Sequence, residues 1–549
     1  MKKIYTGISS LVKTKTGAKQ IYAPLIKQKK LPINIQKAFP LVGVILALVG
    51  CSAGGAPPDA QAVPPLPPAQ QIESFPAAQD GAQNGSQGDL GENILSNETY
   101  TEIDPNKNID VLEESVVTLS LKVDTAAYSN IERYINSGNK PPVDAVRTEE
   151  MINYFNYTGE MDFSSHPIGV YTEIGRSPFD PEKYLAFIRL KSKDIDKSEL
   201  PKSNFTFLID TSGSMVSDDK LPLLKYGFGL LVDTLGEGDR VSVVTYAGSS
   251  EIILDSAPGS DKGRIMGAIE SLGAGGGTAG ADGILSAYSL AEKNFIEGGN
   301  NRVILATDGD FNVGPSSNSA LEKLVAEKRG NGVYLSVMGF GTGNLNDSMM
   351  EALSKHGNGN YAYIDSARTA KKVLVDEISS NLFTIADDVK VQVEFNPANV
   401  KSYRLVGYEN RLMGNEEFSD DTKDAGELGA GTDVAVIFEL GLGQADKGTA
   451  PYANELFETR VRYKNPNDSE ATQFNVPAVF DDIKYQNTMD FNFSAAVYGF
   501  GEILRGSGFA PSLDSVISLV ENNMGTDGER AMFLITLNKY KNLGPSTKY

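Results

Sequence analysis

The sequence predicts an α/β protein: a mostly parallel sheet with helices on both faces, a flanking antiparallel β-sandwich and a helical C-terminus. Two patterns carry this prediction. Between residues 203 and 383, short apolar strands alternate with amphipathic helices, which is typical of a covered parallel sheet. In residues 115–200 and 387–480, polar and apolar residues alternate instead, which is typical of antiparallel strands with one wet face.

The central region supplies the elements of the parallel sheet. The predicted strands cover residues 205–209, 241–246, 303–306, 333–338 and 361–364, with a short partner strand at 251–254. The predicted helices cover residues 221–235, 265–272, 281–295, 321–328, 349–355 and 370–382. In such sheets the binding crevice lies at the carboxyl ends of the strands.

The flanking strands are expected to form one sandwich, into which the central domain is inserted. The predicted strands cover residues 116–122, 170–174, 184–190, 389–395, 403–406, 434–440 and 456–463. Residues 490–542 follow as a helical segment. Its apolar stripe predicts core packing and comprises Phe493, Ala496, Phe500 and Leu504.

The start of the chain has the pattern of a secretory signal. Residues 1–37 are basic, and residues 41–49 form an apolar run too short for a spanning helix, which needs about 20 residues. Leu48-Val49-Gly50-Cys51 resembles the bacterial lipobox, which implies cleavage before Cys51 and lipid on its thiol. A chance cysteine is the alternative. It is disfavoured because Cys51 is the only cysteine of the chain.

The composition of the chain argues against several classes of partner and of functional site. The formal net charge is −21, which argues against nucleic acid as the main partner. A single cysteine permits no internal disulfide. Two histidines and one cysteine also leave little room for zinc sites or histidine-based catalysis.

Three loops at strand ends carry oxygen ligands. The first contains Asp210, Ser212 and Ser214, the second is glycine-rich and contains Thr278, and the third contains Asp308. Two carboxylates and three hydroxyls suit a hard cation such as Mg²⁺. Helix capping would explain the serines alone, but it does not explain why Thr278 and Asp308 occur with them. Neighbouring Asp310 is either a solvated acid or a further charge near the ion.

These three loops resemble the von Willebrand factor type A (vWA) domain. The resemblance implies a Rossmann-like fold over about 203–383. It also implies a metal-ion-dependent adhesion site whose hydroxyls bind the ion directly, whose carboxylates act largely through water, and whose sixth position takes a ligand carboxylate. The implied ion is Mg²⁺, with Ca²⁺ or Mn²⁺ left open. The implied site residues are Asp210, Ser212, Ser214, Thr278 and Asp308.

The flanks contain four further informative segments, which are Val123–Asn130, Asp144–Phe155, Leu405–Arg411 and Asp424–Gly431. These segments resemble the YfbK-type group of bacterial vWA proteins. With them the resemblance covers about 115–510. The domain organisation expected from all these patterns is a signal peptide (1–50), a Pro/Gly/Gln-rich disordered tether (51–110), an N-terminal α+β segment (111–200), the vWA domain (203–383), a β-rich domain (385–482) and a helical segment (488–549).

Three functions remain open at this stage. The leading one is a non-enzymatic lipoprotein of the bacterial cell envelope, outside the cytoplasm, whose ion binds an acidic residue of a protein partner in adhesion or complex assembly. The second is a structural envelope scaffold with a purely stabilising metal. The third is a metal-dependent hydrolase, for which Asp310 is the only evident general base.

Overall fold

The computed structural model describes residues 98–544 except 123, 197–198, 278–279, 310–317, 444–453, 467 and 469, and except the side chain of residue 318. The predicted signal peptide, the tether up to residue 97, Cys51, Thr278 and Asp310 therefore lie outside the described residues.

The segment before the central domain mixes strands with two helices. Its elements are β1 (Ile109–Asp110), β2 (Val116–Ser120), α1 (Ala126–Asn136), α2 (Thr148–Asn153), β3 (Ile168–Arg176) and β4 (Tyr184–Ser192).

The central domain alternates strands and helices. Its elements are β5 (Ser203–Asp210), α3 (Leu221–Thr234), β6 (Arg240–Tyr246), β7 (Ser250–Pro258), α4 (Lys262–Glu270), α5 (Gly280–Lys293), β8 (Asn300–Thr307), α6 (Asn318–Gly330), β9 (Val333–Phe340), α7 (Asp347–His356), β10 (Tyr361–Ile364), α8 (Ala367–Lys371) and α9 (Ile378–Leu382).

The segment after the central domain is first β-rich and then helical. Its elements are β11 (Thr384–Phe395), β12 (Val400–Val406), β13 (Leu412–Met413), β14 (Gly426–Gly429), β15 (Asp433–Leu442), β16 (Glu455–Lys464), β17 (Ala471–Val479), α10 (Met489–Arg505), α11 (Leu513–Asn523) and α12 (Gly528–Asn542).

The central sheet has the order β10-β9-β8-β5-β6-β7. Its strands are parallel except for β7, which pairs antiparallel with β6 at one edge. Alternate residues of β5 enter different cores: Phe207 packs with Phe228 of α3 on one face, and Leu208 packs with Tyr288 of α5 on the other. The predicted sheet with helices on both faces is confirmed.

The flanking strands form two antiparallel sheets that both combine strands from before and after the central domain. In one sheet β2 pairs with β11, with Leu119 opposite Val391, and in the other β4 pairs with β15, with Ile188 opposite Val436. All four side chains belong to one buried core between the sheets. The predicted sandwich, shared by segments on both sides of an inserted domain, is therefore confirmed.

The C-terminal helices pack on α1 and α2 around a third core. The predicted apolar stripe is buried there, with Phe493 and Phe500 both in edge-to-face contact with Phe533 of α12. None of the described helices is both long and apolar enough to cross a bilayer.

Two predicted elements differ from the structure. The short strand expected at 251–254 extends over all of β7. The single helix expected at 370–382 begins earlier, because the Ser366 hydroxyl caps it by accepting from the Thr369 N–H at 3.3 Å. A π-helical turn at Lys372–Asp376 then separates α8 from α9, with the Glu377 N–H bonded to the Lys372 carbonyl at 2.9 Å.

Buried ion pairs join the central domain to its flanks through α7. Arg147, which precedes α2, bonds Asp347 of α7 at 2.5 Å. Arg411, which precedes β13, bonds both Asp124 at 2.8 Å and Glu351 of α7 at 3.1 Å. All five side chains are at most 10% exposed, so the pairs are shielded from solvent. We refer to these five residues, with Glu150, as the interface network.

Candidate metal centre

The sheet topology brings two of the predicted loops together. Strand β5 lies between β6 and β8, and the chain leaves β5 toward β6 before crossing back to β8 on the other side. This is a topological switch point, where open α/β sheets form their binding crevice. Asp210 ends β5, and Asp308 directly follows β8. Both predicted carboxylates therefore stand at the same edge of the sheet.

Asp210 is fully buried and held by neutral donors. Its Oδ1 accepts the Ser212 N–H at 2.8 Å, and its Oδ2 accepts the hydroxyls of Tyr246 and Thr307, each at 3.1 Å. Burial raises the pKa of Asp210 to about 6. The hydrogen bonds from Ser212 oppose this rise, and repulsion from Asp308 adds to it. The carboxylate is thus fixed beneath the loop, and no described cation is ion-paired with it.

The two serine hydroxyls converge above this carboxylate. A 3₁₀ turn at Gly213–Val216 follows Ser212 and brings the Oγ atoms of Ser212 and Ser214 to 2.9 Å from each other. Ser212 is buried, whereas Ser214 is exposed. Two ligands at right angles around Mg²⁺, with bonds of about 2.0–2.1 Å, lie about 2.9 Å apart. The hydroxyl pair therefore fits adjacent positions on such an ion.

The glycine-rich loop is bonded to the serine loop through the backbone. The Gly213 N–H donates to the Gly276 carbonyl at 3.2 Å, and the Gly275 N–H donates to the Thr211 carbonyl at 2.8 Å. The loop that contains Thr278 thus reaches the serine loop. Thr278 itself lies outside the described residues, so its place at the site stays a prediction.

Asp308 is buried and paired with a lysine that the motif does not contain. The Lys220 Nζ donates to Asp308 Oδ2 at 2.9 Å and to Asn344 Oδ1 at 3.2 Å. The Lys220 side chain is 8% exposed and that of Asp308 is 0% exposed. One of the two carboxylates of the site therefore already has an internal counter-charge.

The loop after β9 is shaped to admit that lysine. Gly341 has φ +74°, and a Cβ added there would lie 2.2 Å from Cγ of Lys220. Gly309, with φ +104°, packs as closely: its Cβ would lie 2.5 Å from the backbone nitrogen of Asn346. Only glycine tolerates both the conformation and the approach.

Four of the predicted site residues are described: Asp210, Ser212, Ser214 and Asp308 lie on loops at the same edge of the sheet, and their role as a metal site stays a prediction. Three residues that the sequence analysis did not assign to the site contact them: Tyr246, Thr307 and Lys220. Thr307 could have been found, because it directly precedes Asp308 at a strand end, and Tyr246 likewise ends the strand beside β5. Lys220 carries no local signal, because only the fold brings it to Asp308.

The oxygen donors of the candidate site suit a hard cation rather than a metal that prefers nitrogen or sulfur ligands. In the part of the chain that the structure describes, no three His, Cys, Asp or Glu residues converge on a metal position. His166 stacks on Phe474 of the sandwich, with ring centroids 4.2 Å apart, and His356 ends α7. Hydroxyls with nearby carboxylates remain, which fit Mg²⁺ or Mn²⁺ rather than zinc.

A polar cavity of about 560 Å³ lies elsewhere, near the amino end of β10. Three of the described cations line it, and each is ion-paired: Arg368 with Glu132 and Glu529, Lys371 with Asp376, and Lys372 with Glu377. Its charges are thus matched within the protein, unlike that of Asp210.

Comparison with known proteins places the chain in a family. Residues 204–377 match the von Willebrand factor type A domain, residues 94–186 match a family described as von Willebrand factor, and residues 380–543 match the C-terminal region of the family described as uncharacterized protein YfbK. YfbK of Escherichia coli K12 is 40% identical over 459 residues, covering 79% of this chain and 80% of its own. The chain belongs to the YfbK family.

Less similar relatives match about a third of the chain. The Synechocystis protein sll0103 is 30% identical over 183 residues, which are 33% of this chain and 42% of that protein. Human inter-alpha-trypsin inhibitor heavy chain H3 is 30% identical over 198 residues, which are 34% of this YfbK-family chain and 22% of the human protein.

Among solved structures, a von Willebrand factor type A protein from Catenulispora acidiphila is 14% identical and covers 72% of this chain and 93% of its own, with a TM-score of 0.41. BatB from Bacteroides thetaiotaomicron is 24% identical and covers 32% of this chain and 97% of its own, with a TM-score of 0.28.

Proposed function

We propose that this YfbK-family protein is a non-enzymatic, lipid-anchored binding protein of the cell envelope, whose vWA domain binds an acidic residue of a protein partner through a divalent cation. The observation that carries the proposal is the hydroxyl pair of Ser212 and Ser214 above buried Asp210, with Asp308 at the end of the neighbouring strand.

The ion would be held by hydroxyls and steadied by carboxylates. Ser212, Ser214 and Thr278 would supply direct oxygen ligands, and Asp210 and Asp308 would supply the negative charge. Mg²⁺ is the first choice, because it takes oxygen ligands and keeps positions for water or a further ligand. Ca²⁺ and Mn²⁺ are the alternatives.

The surface beside the serine loop supports a protein as the partner. Because the chain carries a net charge of −21, the ion, and not the surrounding surface, would attract an incoming carboxylate. Beside the serine loop lies a groove of about 470 Å³, with Val216 72% and Tyr226 50% exposed. Exposed apolar side chains next to a charged site are typical of protein interfaces rather than of sites for small anions.

The location outside the cytoplasm rests on the start of the chain. The basic region, the short apolar run and Cys51 in a lipobox-like sequence support export and lipid attachment. Metabolic labelling with a palmitate analogue tests this: we expect label on the wild-type protein and none on Cys51→Ala. Equal labelling of both would contradict the anchor.

A purely stabilising metal is the weaker alternative. The loops of the site are already joined by backbone hydrogen bonds from Gly213 and Gly275, and Asp308 is already paired with Lys220. An ion is therefore not needed to hold the loops together. A hydrolase is also disfavoured, because none of the described residues stands at the site as an evident general base, and Asp310 lies outside them.

The test is crosslinked capture of partners from the native envelope, with Mg²⁺ and with chelator. We expect the wild-type protein to retain a partner only with Mg²⁺, and Asp210→Ala to retain it in neither condition. Asp376→Ala is the matched control, because Asp376 is a half-exposed acid of the same domain that pairs with Lys371. Capture that resists both chelator and Asp210→Ala would contradict the proposal.

A further inference from the structure

We propose that Lys220 is a built-in counter-charge of the candidate metal centre, which weakens ion binding and makes the ion-loaded site more positive by one charge, so that ion and ligand carboxylate bind cooperatively. This inference rests on the proposed function, because it assigns a role to Lys220 at the same site. It concerns two affinities, that of the site for the ion and that of the loaded site for a ligand carboxylate, which the motif residues alone do not determine.

The ion pair between Lys220 and Asp308 is buried and fixed by a further hydrogen bond, unlike a surface contact. Both partners are buried, and the Nζ–Oδ2 distance to Asp308 is 2.9 Å. The same Nζ donates to Asn344, which fixes a second direction of the ammonium group. A buried ion pair is costly to form unless further hydrogen bonds satisfy it, and Asn344 supplies one.

Gly341 provides the space for the lysine stem. A Cβ at this position would lie within 2.8 Å of three carbons of the Lys220 side chain. The positive φ of Gly341 turns the loop after β9 away at the same point. The backbone is thus shaped around this side chain, which keeps the ammonium at Asp308.

Charge counting shows what the lysine changes. Asp210, Asp308 and Lys220 together carry a single negative charge, and Lys220→Met would raise this to two. The variant site would therefore be one unit more negative than wild type, both before and after a divalent ion binds. Lys220 therefore lowers the affinity for the ion and raises the affinity of the loaded site for a carboxylate.

This arrangement suits a protein whose surface repels acidic partners. The chain has 71 acidic residues against 50 basic ones, so its long-range field disfavours an approaching carboxylate. The positive charge that Lys220 adds to a loaded site, in a partly buried position, opposes that field where the ligand binds. The ion is then retained best when the ligand is present.

Lys225 provides a matched control on the adjacent helix. Its Nζ donates to the carbonyls of Glu270 and Leu272, at 2.8 Å and 2.7 Å, and has no carboxylate partner among the described residues. Replacing Lys225 removes the same unit of charge from the same helix region without touching Asp308.

The experiment measures Mn²⁺ affinity of the full chain by isothermal titration calorimetry, at constant ionic strength, with and without acetate as the carboxylate probe. The variants are Lys220→Met, Lys220→Gln, Lys220→Arg and Lys225→Met. We expect Lys220→Met and Lys220→Gln to bind Mn²⁺ at least about tenfold more tightly than wild type without acetate. We also expect acetate to strengthen Mn²⁺ binding in wild type, Lys220→Arg and Lys225→Met, but not in the two neutral variants.

Circular dichroism checks that each variant is folded. If Lys220→Met fails to fold, Lys220→Gln still provides a neutral hydrogen-bond donor for Asp308. Unchanged or weaker Mn²⁺ binding in the neutral variants, or an equal acetate effect in all proteins, would overturn the role of Lys220. Failure of wild type to bind Mn²⁺ would instead refute the proposed function itself, so the two failures are distinguishable.

Discussion

The interface network and the metal centre both bury carboxylates, but they neutralise them differently. In the interface network, Asp347, Asp124 and Glu351 are bonded to Arg147 or Arg411. At the candidate metal centre, the described donors to Asp210 are backbone and side-chain groups of Ser212 and the hydroxyls of Tyr246 and Thr307, and among the described residues only Asp308 has an ammonium partner.

This difference suggests a structural role for the carboxylates paired with arginine and a functional role for Asp210. A buried carboxylate that is bonded to an internal arginine has its charge neutralised within the protein, and such ion pairs join the central domain to its flanks. For a buried carboxylate held by neutral donors, beside two converging hydroxyls, we propose that the charge stays available for a cation from outside. The predictions below test this distinction, from the largest expected effect to the smallest.

Loss of an arginine from the interface network should be the most damaging change. Arg147→Met leaves Glu150 and Asp347 buried without their guanidinium. Breaking a buried pair in this way costs about 3–5 kcal/mol of unfolding free energy. Urea denaturation measures it. Lys371→Met, which breaks an exposed pair with Asp376, is the control and should cost less than about 1 kcal/mol. Equal effects in the two variants would remove the distinction.

Glu149 shows a third way to accommodate a buried acid, because its pKa is raised well above the usual range. Burial raises the pKa of Glu149 from 4.5 to about 7, and repulsion from Glu409 adds to the rise. The unfolded chain therefore ionises first as the pH rises, and stability that is full below pH 4.5 is lost through pH 7. At pH 8 the loss reaches roughly 1–3 kcal/mol.

Glu149→Gln should remove that loss. We expect the unfolding free energy of wild type to fall more than that of the variant between pH 5 and pH 8, as measured by urea denaturation at both pH values. Glu521→Gln, at an exposed position of α11, should follow wild type. A variant whose pH dependence equals that of wild type would show that Glu149 is not the responsible group.

Gly341→Ala should have an intermediate effect on the metal-centre side. The new Cβ meets the Lys220 stem, and the φ of +74° is unfavourable for alanine. We expect a loss of about 1–2 kcal/mol in thermal or urea unfolding. Gly248→Ala is the control, because its Cβ would meet nothing within 4 Å. A loss no greater than that of the control would mean that the loop adapts freely.

The sequence predicted the fold well because its signals are local. Apolar runs and helical periodicity identified each strand of the central sheet, and alternation identified seven of the eleven described flanking strands. The four strands that it missed are β1, β13, β14 and β17. Details that depend on distant contacts were missed: the π-helical turn at Lys372–Asp376 interrupts a stretch that is helical by pattern, and Lys372 there pairs with Glu377 and lies 4.7 Å from the Tyr154 ring centroid.

Residues of the candidate site could be predicted where they lie in a short sequence motif. They could not be predicted where they are far apart in the chain. Asp210, Ser212 and Ser214 lie within five residues, and Asp308 follows a recognisable strand. Lys220 is 88 positions from Asp308 and reaches it only in the fold. Likewise, the segments with Arg147 and Arg411 were recognised by resemblance, but their physical role became visible only as ion pairs to α7.

The most direct test compares Mn²⁺ binding and stability of wild type and Asp210→Asn. The asparagine keeps the shape beneath the loop, so we expect the unfolding free energy without metal to stay within about 1 kcal/mol of wild type. Calorimetry should find one Mn²⁺ bound per wild-type chain and none bound to the variant. Equal Mn²⁺ binding by both proteins, or a loss of stability as large as that of Arg147→Met, would contradict the distinction between the two regions.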